Sequence, residues 1–276
     1  MNRLLKSDLY KLSKMKSIFI CALILIVMGI GLIFLLDFSG TMVQTAVDNG
    51  VSIELNGSEE QALQIFTNQT AASLFPSSLG GDGVLFSIIV ISIFVACEFG
   101  FGTIKNIASR GFSRTKIYLS KLIFSCGVAV FFSLLFCAAY TLTAAGLWGW
   151  GDAGPEFWKN AAGLLGLNLL LNCAYASLFT MISSLIRQTG GAIAINFCVM
   201  SFAPMLLELL QMAIEKLFHV TMAFQLSSYT LSANMNALTE GALQNDIVLR
   251  VLFVGIGFFV VTTIIGLYVF RKRDIK

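Results

Sequence analysis

The sequence predicts an all-α membrane protein with six transmembrane helices, an N-terminal interfacial amphipathic helix and both termini in the cytoplasm. Of its 276 residues, 57% are hydrophobic and only 12% are charged, and the mean hydropathy is +0.84. A soluble domain of this size would have too few polar residues to cover its surface. The apolar runs lack the alternation of barrel strands, so helices are the structure that satisfies their backbone in lipid.

The distribution of basic residues predicts the topology. Fifteen of the eighteen Lys and Arg residues fall in four short patches, and apolar segments separate these patches. The patches are Arg3 to Lys16, Lys105 to Lys121, Arg187, and Arg271 to Lys276. Because cationic loops stay on the cytoplasmic side during insertion, the pattern indicates an even number of spans with both termini inside.

Six apolar runs are long enough to cross a hydrocarbon core of ~30 Å. We predict spans at about 17–38, 83–101, 122–148, 161–186, 191–212 and 247–270. The segments between them are a cytoplasmic loop at 102–121 and two long outer loops at 39–82 and 213–246. Neither outer loop has the composition of a folded domain, so we treat residues 1–276 as a single transmembrane domain.

Residues 1–16 form a distinct element before the first span. At helical spacing one face is apolar and the cations point away from it, which is typical of a helix lying on the membrane surface. The apolar face consists of Leu4, Leu5, Leu9, Leu12 and Met15, and Asp8 interrupts it. Such a helix could serve only as a membrane anchor, or it could also grip a partner.

The loop at 102–121 has the features of a short amphipathic helix. Ile104, Ile107 and Ala108 form a small apolar face, Gly111 suits a helix C-terminus, and Ser113 can cap the helix that becomes the third span. A helix held between two spans can transmit force from a cytosolic partner. The alternative is that the five cations of this loop only enforce the topology.

The run from Glu98 through Lys121 resembles the permease subunits of ABC-2 type transporters. It has an acid at the inner end of the second span, then Gly-Thr-Ile-Lys-Asn, then Ser-Arg-Gly and Ser-Arg-Thr-Lys. In particular it is similar to small six-span bacterial permeases associated with bacitracin and lantibiotic resistance or with toxin-peptide export. Through topology the resemblance extends to the whole chain.

The resemblance implies a partner ATPase on a separate chain, which holds ATP and Mg, and a second permease copy or paralogue. It also implies the bacterial cytoplasmic membrane as the location. The segment around Thr103 to Gly111 would dock on the ATPase. The expected coupling residues are Glu98, Gly102, Thr103, Ile104, Lys105, Asn106, Ile107, Arg110, Gly111 and Arg114.

The chain lacks the residues expected of an enzyme. It contains no GxxxxGK[ST] phosphate loop, so we predict that it binds no nucleotide in that manner and that ATP is hydrolysed by the partner. One histidine and six cysteines without a CxxC pair predict neither a metal site nor a disulfide. The Glu59-Glu60 pair could suggest an intramembrane protease, but it lies in an outer polar stretch. We therefore predict no catalytic residue and no cofactor.

Polar residues within the predicted spans are candidates for a substrate path, because such groups usually face the bundle interior. They are Asn168, Asn172, Tyr175, Asn196 and Glu208. A path without a ring of fixed charge suits amphipathic or hydrophobic peptides. The alternative is that these groups form interhelical hydrogen bonds that add packing energy. At the level of function, the alternatives are an ion-coupled secondary transporter or channel, or ABC export of lipids or drugs.

Overall fold

The computed structural model describes residues 2–49, 69–80, 82–100, 112–151, 153–186, 188–218, 225–241 and 244–272. Within these residues every regular element is helical, which confirms the all-α prediction. Six helices are long and apolar enough to cross a membrane, so this is a multi-pass membrane protein, as the hydropathy pattern predicts.

Nine α-helices follow one another along the described residues. They are α1 (Asn2–Lys14), α2 (Lys16–Asp48), α3 (Ala71–Leu74), α4 (Asp82–Gly100), α5 (Arg114–Trp148), α6 (Pro155–Ile186), α7 (Thr189–Phe218), α8 (Leu231–Thr239) and α9 (Asn245–Lys272). Two short 3-10 helices, Pro76–Leu79 and Leu226–Tyr229, lie before α4 and before α8. The spans are α2, α4, α5, α6, α7 and α9.

Several helices extend beyond the predicted spans. The first continues to Asp48 rather than ending near residue 38, and the third begins at Arg114 rather than at 122. The helix continues through polar residues past the apolar run, where the Thr41 and Thr45 hydroxyls donate to the carbonyls of Phe38 and Thr41. Hydropathy therefore locates the span but not the end of the helix.

The start of α5 agrees with the expected cap position. Ser113 occupies the N-cap with an extended backbone, but its side chain makes no capping hydrogen bond. Consequently, residues 114–121 of the predicted cytoplasmic loop belong to the third spanning helix.

Helix α6 is the centre of the bundle and contacts α4, α5, α7 and α9. Helix α2 packs at the edge, mainly against α5, where Leu25 and Ile33 are buried. Most side chains of α7 remain exposed, including Phe202 and Leu206, and would face lipid or another chain.

The close approach of α9 to its neighbours depends on two glycines. A Cβ atom added at Gly255 would overlap the side chain of Leu170 on α6, and one added at Gly266 would overlap the ring and hydroxyl of Tyr118 on α5. By contrast, nothing lies within 4 Å of a Cβ added at Gly257. Gly255 and Gly266 thus let α9 pack inside this chain.

Short elements cover the end of the bundle opposite α1. The backbone amides of Ala71 and Ala72 donate to the carbonyls of Gly149 and Trp150, at 3.0 and 3.3 Å. Helix α8 packs on α6, α9 and the 3-10 helix Pro76–Leu79, and its Met235 and Leu238 are buried. The predicted long loops at this end therefore contain helices that pack against the bundle.

Candidate functional site

A buried group of charged side chains joins α1 to the α4 and α5 ends nearest to it. We call Asp8, Lys11, Glu98, Ser120 and Lys121 the charge cluster. Its central cation is Lys121, whose Nζ lies 2.9 Å from Asp8 Oδ1 and 2.6 Å from Glu98 Oε1. These three side chains are each less than a tenth exposed. The contacts within the cluster therefore take the place of the water that these three side chains lose on burial.

Two more contacts complete the charge cluster. Ser120 Oγ donates to Asp8 Oδ2 at 2.6 Å, and Lys11 Nζ donates to Glu98 Oε1 at 3.0 Å. Lys121 Nζ also lies 4.1 Å from the centroid of the Phe94 ring, a cation–π distance. Two cations thus face two carboxylates, and the second cation, Lys11, reaches Glu98 from a side chain that is 39% exposed.

The spacing of α1 explains how the cluster forms. Leu4, Asp8 and Leu12 lie at intervals of four, which places them on one helical face. That face packs against the protein, with Leu4 and Asp8 buried. Leu9 of the predicted stripe is 56% exposed, so it remains available to lipid. Asp8, which seemed to interrupt an apolar face, points at Lys121 and Ser120.

Aromatic side chains pack α9 against α4 and α5 beside the charge cluster. Leu4, Ile117, Tyr118 and Phe270 are buried together. The Phe270 ring lies 5.9 Å from that of Phe99 and 5.8 Å from that of Tyr118. Four helices, α1, α4, α5 and α9, therefore meet at this end.

Of the expected coupling residues, the structure describes Glu98 and Arg114. Glu98 pairs with Lys121 and Lys11. The sequence left two roles open for it, an ion pair with Lys105 or Arg110 or a part in the ATPase-facing joint, and both of those cations lie outside the described residues. Arg114 Nη1 donates to the Arg271 carbonyl at 3.0 Å, which ties the start of α5 to the end of α9. The remaining expected residues, Gly102, Thr103, Ile104, Lys105, Asn106, Ile107, Arg110 and Gly111, lie outside the described residues.

Two of the predicted path residues, Asn168 and Asn172, form a hydrogen-bonded group with Ser133 of α5. Asn168 Nδ2 donates to the Leu79 carbonyl at 2.6 Å, and Ser133 Oγ donates to Asn168 Oδ1 at 2.8 Å. Asn172 Nδ2 donates to Asn168 Oδ1 at 2.8 Å. Both asparagines are buried, and their amides join α6 to α5 and to the covering segment.

The other three candidates lie elsewhere. Asn196 Nδ2 donates to Ser92 Oγ at 2.8 Å and to Ser183 Oγ at 3.0 Å, which links α7 to α4 and α6. Tyr175 lines a cavity of about 90 Å³ with residues of α7, α8 and α9, and Glu208 is exposed on α7. The three asparagines make the hydrogen bonds that the packing alternative predicts, and the assignment of the five residues to a substrate path stays a prediction.

The sequence reasoning missed Lys121 and did not assign a partner to Asp8. An acid in the middle of an apolar helical face was the available signal, because a buried carboxylate requires a counter-charge. Among the described residues, no group of three or more His, Cys, Asp and Glu side chains is arranged to hold a metal ion.

Comparison with protein families gives a match over most of the chain. The family model described as "Protein of unknown function (DUF2705)" matches residues 58–276, which include α3 to α9. No curated protein matches the chain. Glu98, Ser120 and Lys121 lie within the matched range, whereas Asp8 and Lys11 precede it.

Proposed function

The chain belongs to the DUF2705 family, and we propose that it is the permease subunit of an ATP-driven exporter of the ABC-2 type. The observation that carries the proposal is the charge cluster. It joins α1 to the end of α4 and the beginning of α5, the two helices that flank residues 101–113. A partner that moves this loop would therefore move three helices together.

The energetics of the charge cluster favour a rigid connection between α1, α4 and α5. Separating α1 from α5 would break the buried contact between Asp8 and Lys121 and leave Lys121 only its contact with Glu98 among those of the charge cluster. The loss of a buried ionic partner is costly. The contacts are therefore kept during small movements, and force applied at the loop reaches the bundle through α4 and α5. This agrees with the resemblance of the Glu98 to Lys121 run to ABC-2 permeases.

The partners follow from the same proposal. The sequence has no phosphate loop, so a separate ATPase chain supplies the energy. The exposed apolar faces of α2 and α7 leave room for lipid or for a second permease copy or paralogue. We propose amphipathic or hydrophobic peptides as the cargo and the bacterial cytoplasmic membrane as the location, with the α1 end in the cytoplasm.

A secondary transporter or channel is the less favoured alternative. Ion coupling by a buried acid requires that this acid can exchange protons or ions with a cavity. In the described residues the buried acids Asp8 and Glu98 are engaged at one end of the bundle by Lys121. Their geometry is that of a joint between helices.

The test is reconstitution. The chain should co-purify with an ABC ATPase encoded beside its gene, and vesicles that contain both should export an amphipathic peptide only when ATP is supplied. Peptide movement driven by an ion gradient without ATP would overturn the proposal. Export of a lipid or drug with no peptide export would retain the ATP-driven permease and correct the cargo.

A further inference from the structure

A groove opens at the α1 end of the protein between the first turn of α5 and the last three turns of α9. Its volume is about 580 Å³, and it is lined by Thr115, Ile264, Leu267, Tyr268, Arg271 and Lys272. Ile264, Leu267 and Tyr268 come from the spanning part of α9, whereas Arg271 and Lys272 form its last turn. One half of the groove is thus apolar and the other half is cationic.

The walls of the groove are fixed by contacts behind it. Arg114 Nη1 donates to the Arg271 carbonyl at 3.0 Å, so the two helix ends are directly joined. Phe270 is buried on the opposite side of α9, with its ring 5.8 Å from that of Tyr118 on α5. The groove is therefore a property of the packed helices and not of one side-chain rotamer.

The cations at the groove are available to a ligand. Arg271 and Lys272 are exposed, and within the described part of the chain neither forms an ion pair. Lys272 Nζ lies 5.8 Å from the Tyr268 ring centroid, and both residues line the groove. Helix α5 begins at Arg114, so the positive end of its dipole adds to the potential near Thr115.

We propose that this groove binds an anionic phospholipid. The headgroup phosphate accepts hydrogen bonds from Arg271 and Lys272, and an acyl chain lies along Ile264 and Leu267. Basic pockets between spanning helices at the cytoplasmic face suit anionic headgroups. A free anion would leave the apolar half of the groove unfilled, and a neutral lipid would gain little from two cations.

The bound lipid would bridge α5 and α9 at the level of the charge cluster. It would therefore hold together the helix ends that the Arg114 to Arg271 bond already joins. This inference does not depend on the proposed transport function, because it needs only a membrane protein with its α1 end beside an anionic leaflet.

Lipid binding to the purified full-length chain tests the proposal. Native mass spectrometry of the protein in a neutral detergent should detect bound phosphatidylglycerol in preference to phosphatidylcholine. Each cation near a lipid surface contributes on the order of fivefold in affinity, so Arg271→Gln with Lys272→Gln should weaken phosphatidylglycerol binding about 25-fold. Ile264→Trp, which fills the apolar half, should also reduce binding of the intact lipid.

The control is a double variant with the same loss of charge at the same end. Lys6→Gln with Lys16→Gln removes two exposed cations from α1 and the start of α2, and it should keep most of the lipid preference. Equal losses in the two double variants would overturn the proposal in favour of diffuse surface attraction. It would also be overturned if inorganic phosphate displaced the lipid at millimolar concentration, or if Ile264→Trp left lipid binding unchanged.

Discussion

At the scale of single residues, Lys121 has the most constrained environment in the charge cluster. Its Nζ contacts two carboxylates and an aromatic ring, and its side chain is only 6% exposed. A buried ion pair adds little net stability relative to well-packed apolar residues, but the removal of one partner is costly. Removing the Lys121 side chain is thus expected to lower the stability of the protein, because it would leave the Asp8 and Glu98 carboxylates without this cation.

Lys121→Met should destabilise the protein by about 3–5 kcal/mol, because Asp8 and Glu98 would each lose the buried ammonium group that lies 2.9 and 2.6 Å from them. The measurement is unfolding of the purified variant in detergent. Lys116→Met, which removes an exposed cation from the same helix, should change stability by less than about 0.5 kcal/mol. Equal effects of the two substitutions would mean that the charge cluster does not hold α1 in place.

The buried asparagines yield a second prediction at this scale. Asn168→Leu removes the hydrogen bonds to Leu79 and Ser133, and polar bonds between spanning helices contribute about 0.6–2 kcal/mol each. Thermal unfolding should therefore occur at a lower temperature in this variant. Asn236→Leu, at an exposed position of α8, is the matched control and should leave the midpoint nearly unchanged. A path-lining role would instead lower export while stability stays at the wild-type value.

At the scale of elements, the packing of α9 depends on the positions of its glycines. Gly266 faces the rigid ring of Tyr118, whereas Gly257, nine residues before it, faces open space. A Gly→Ala substitution raises helix propensity at both positions but creates a steric overlap at Gly266 alone of the two. Comparison of the two variants therefore separates the effect of packing on stability from the effect of helix propensity.

Gly266→Ala should destabilise the protein by about 1–3 kcal/mol, because the added methyl group forces Tyr118 or the whole of α9 to move. Gly257→Ala should instead be neutral or stabilising by up to about 1 kcal/mol, since alanine favours helix and meets no neighbour. Both are measured by unfolding in detergent. If the two variants shift stability in the same direction, the packing of α9 against α5 is incorrect.

The elements also show which features a sequence can predict. Six spans were predictable because each needs only a local apolar run. The helix ends were not, since α2 continues past its apolar run through polar residues such as Thr41 and Thr45, to which hydropathy is blind. The shared face of Asn168 and Asn172 followed from helical spacing, but the pairing of Asn196 with Ser92, 104 residues away, depends on how α4 and α7 pack.

At the scale of the whole molecule, most cations lie at one end of the chain's spans, and this distribution predicts that the α1 end is cytoplasmic. In a background without native cysteines, Lys16→Cys should be protected from a membrane-impermeant thiol reagent added to intact cells. Asp48→Cys, at the other end of α2, should be labelled under the same conditions. The reverse pattern would invert the proposed orientation and move residues 102–121 away from any cytosolic ATPase.

The central claim is that an ATPase drives this chain through the segment between α4 and α5. Ile104→Ser with Ile107→Ser tests this claim most directly, because each isoleucine buried in a partner groove contributes roughly 1.5–3 kcal/mol. ATPase co-purification and ATP-dependent peptide export should be measured together in this double variant, with Asn236→Ser as an exposed control. We expect a folded, membrane-inserted permease that retains little ATPase or hydrolyses ATP without export. Wild-type co-purification and wild-type export in the double variant would contradict it.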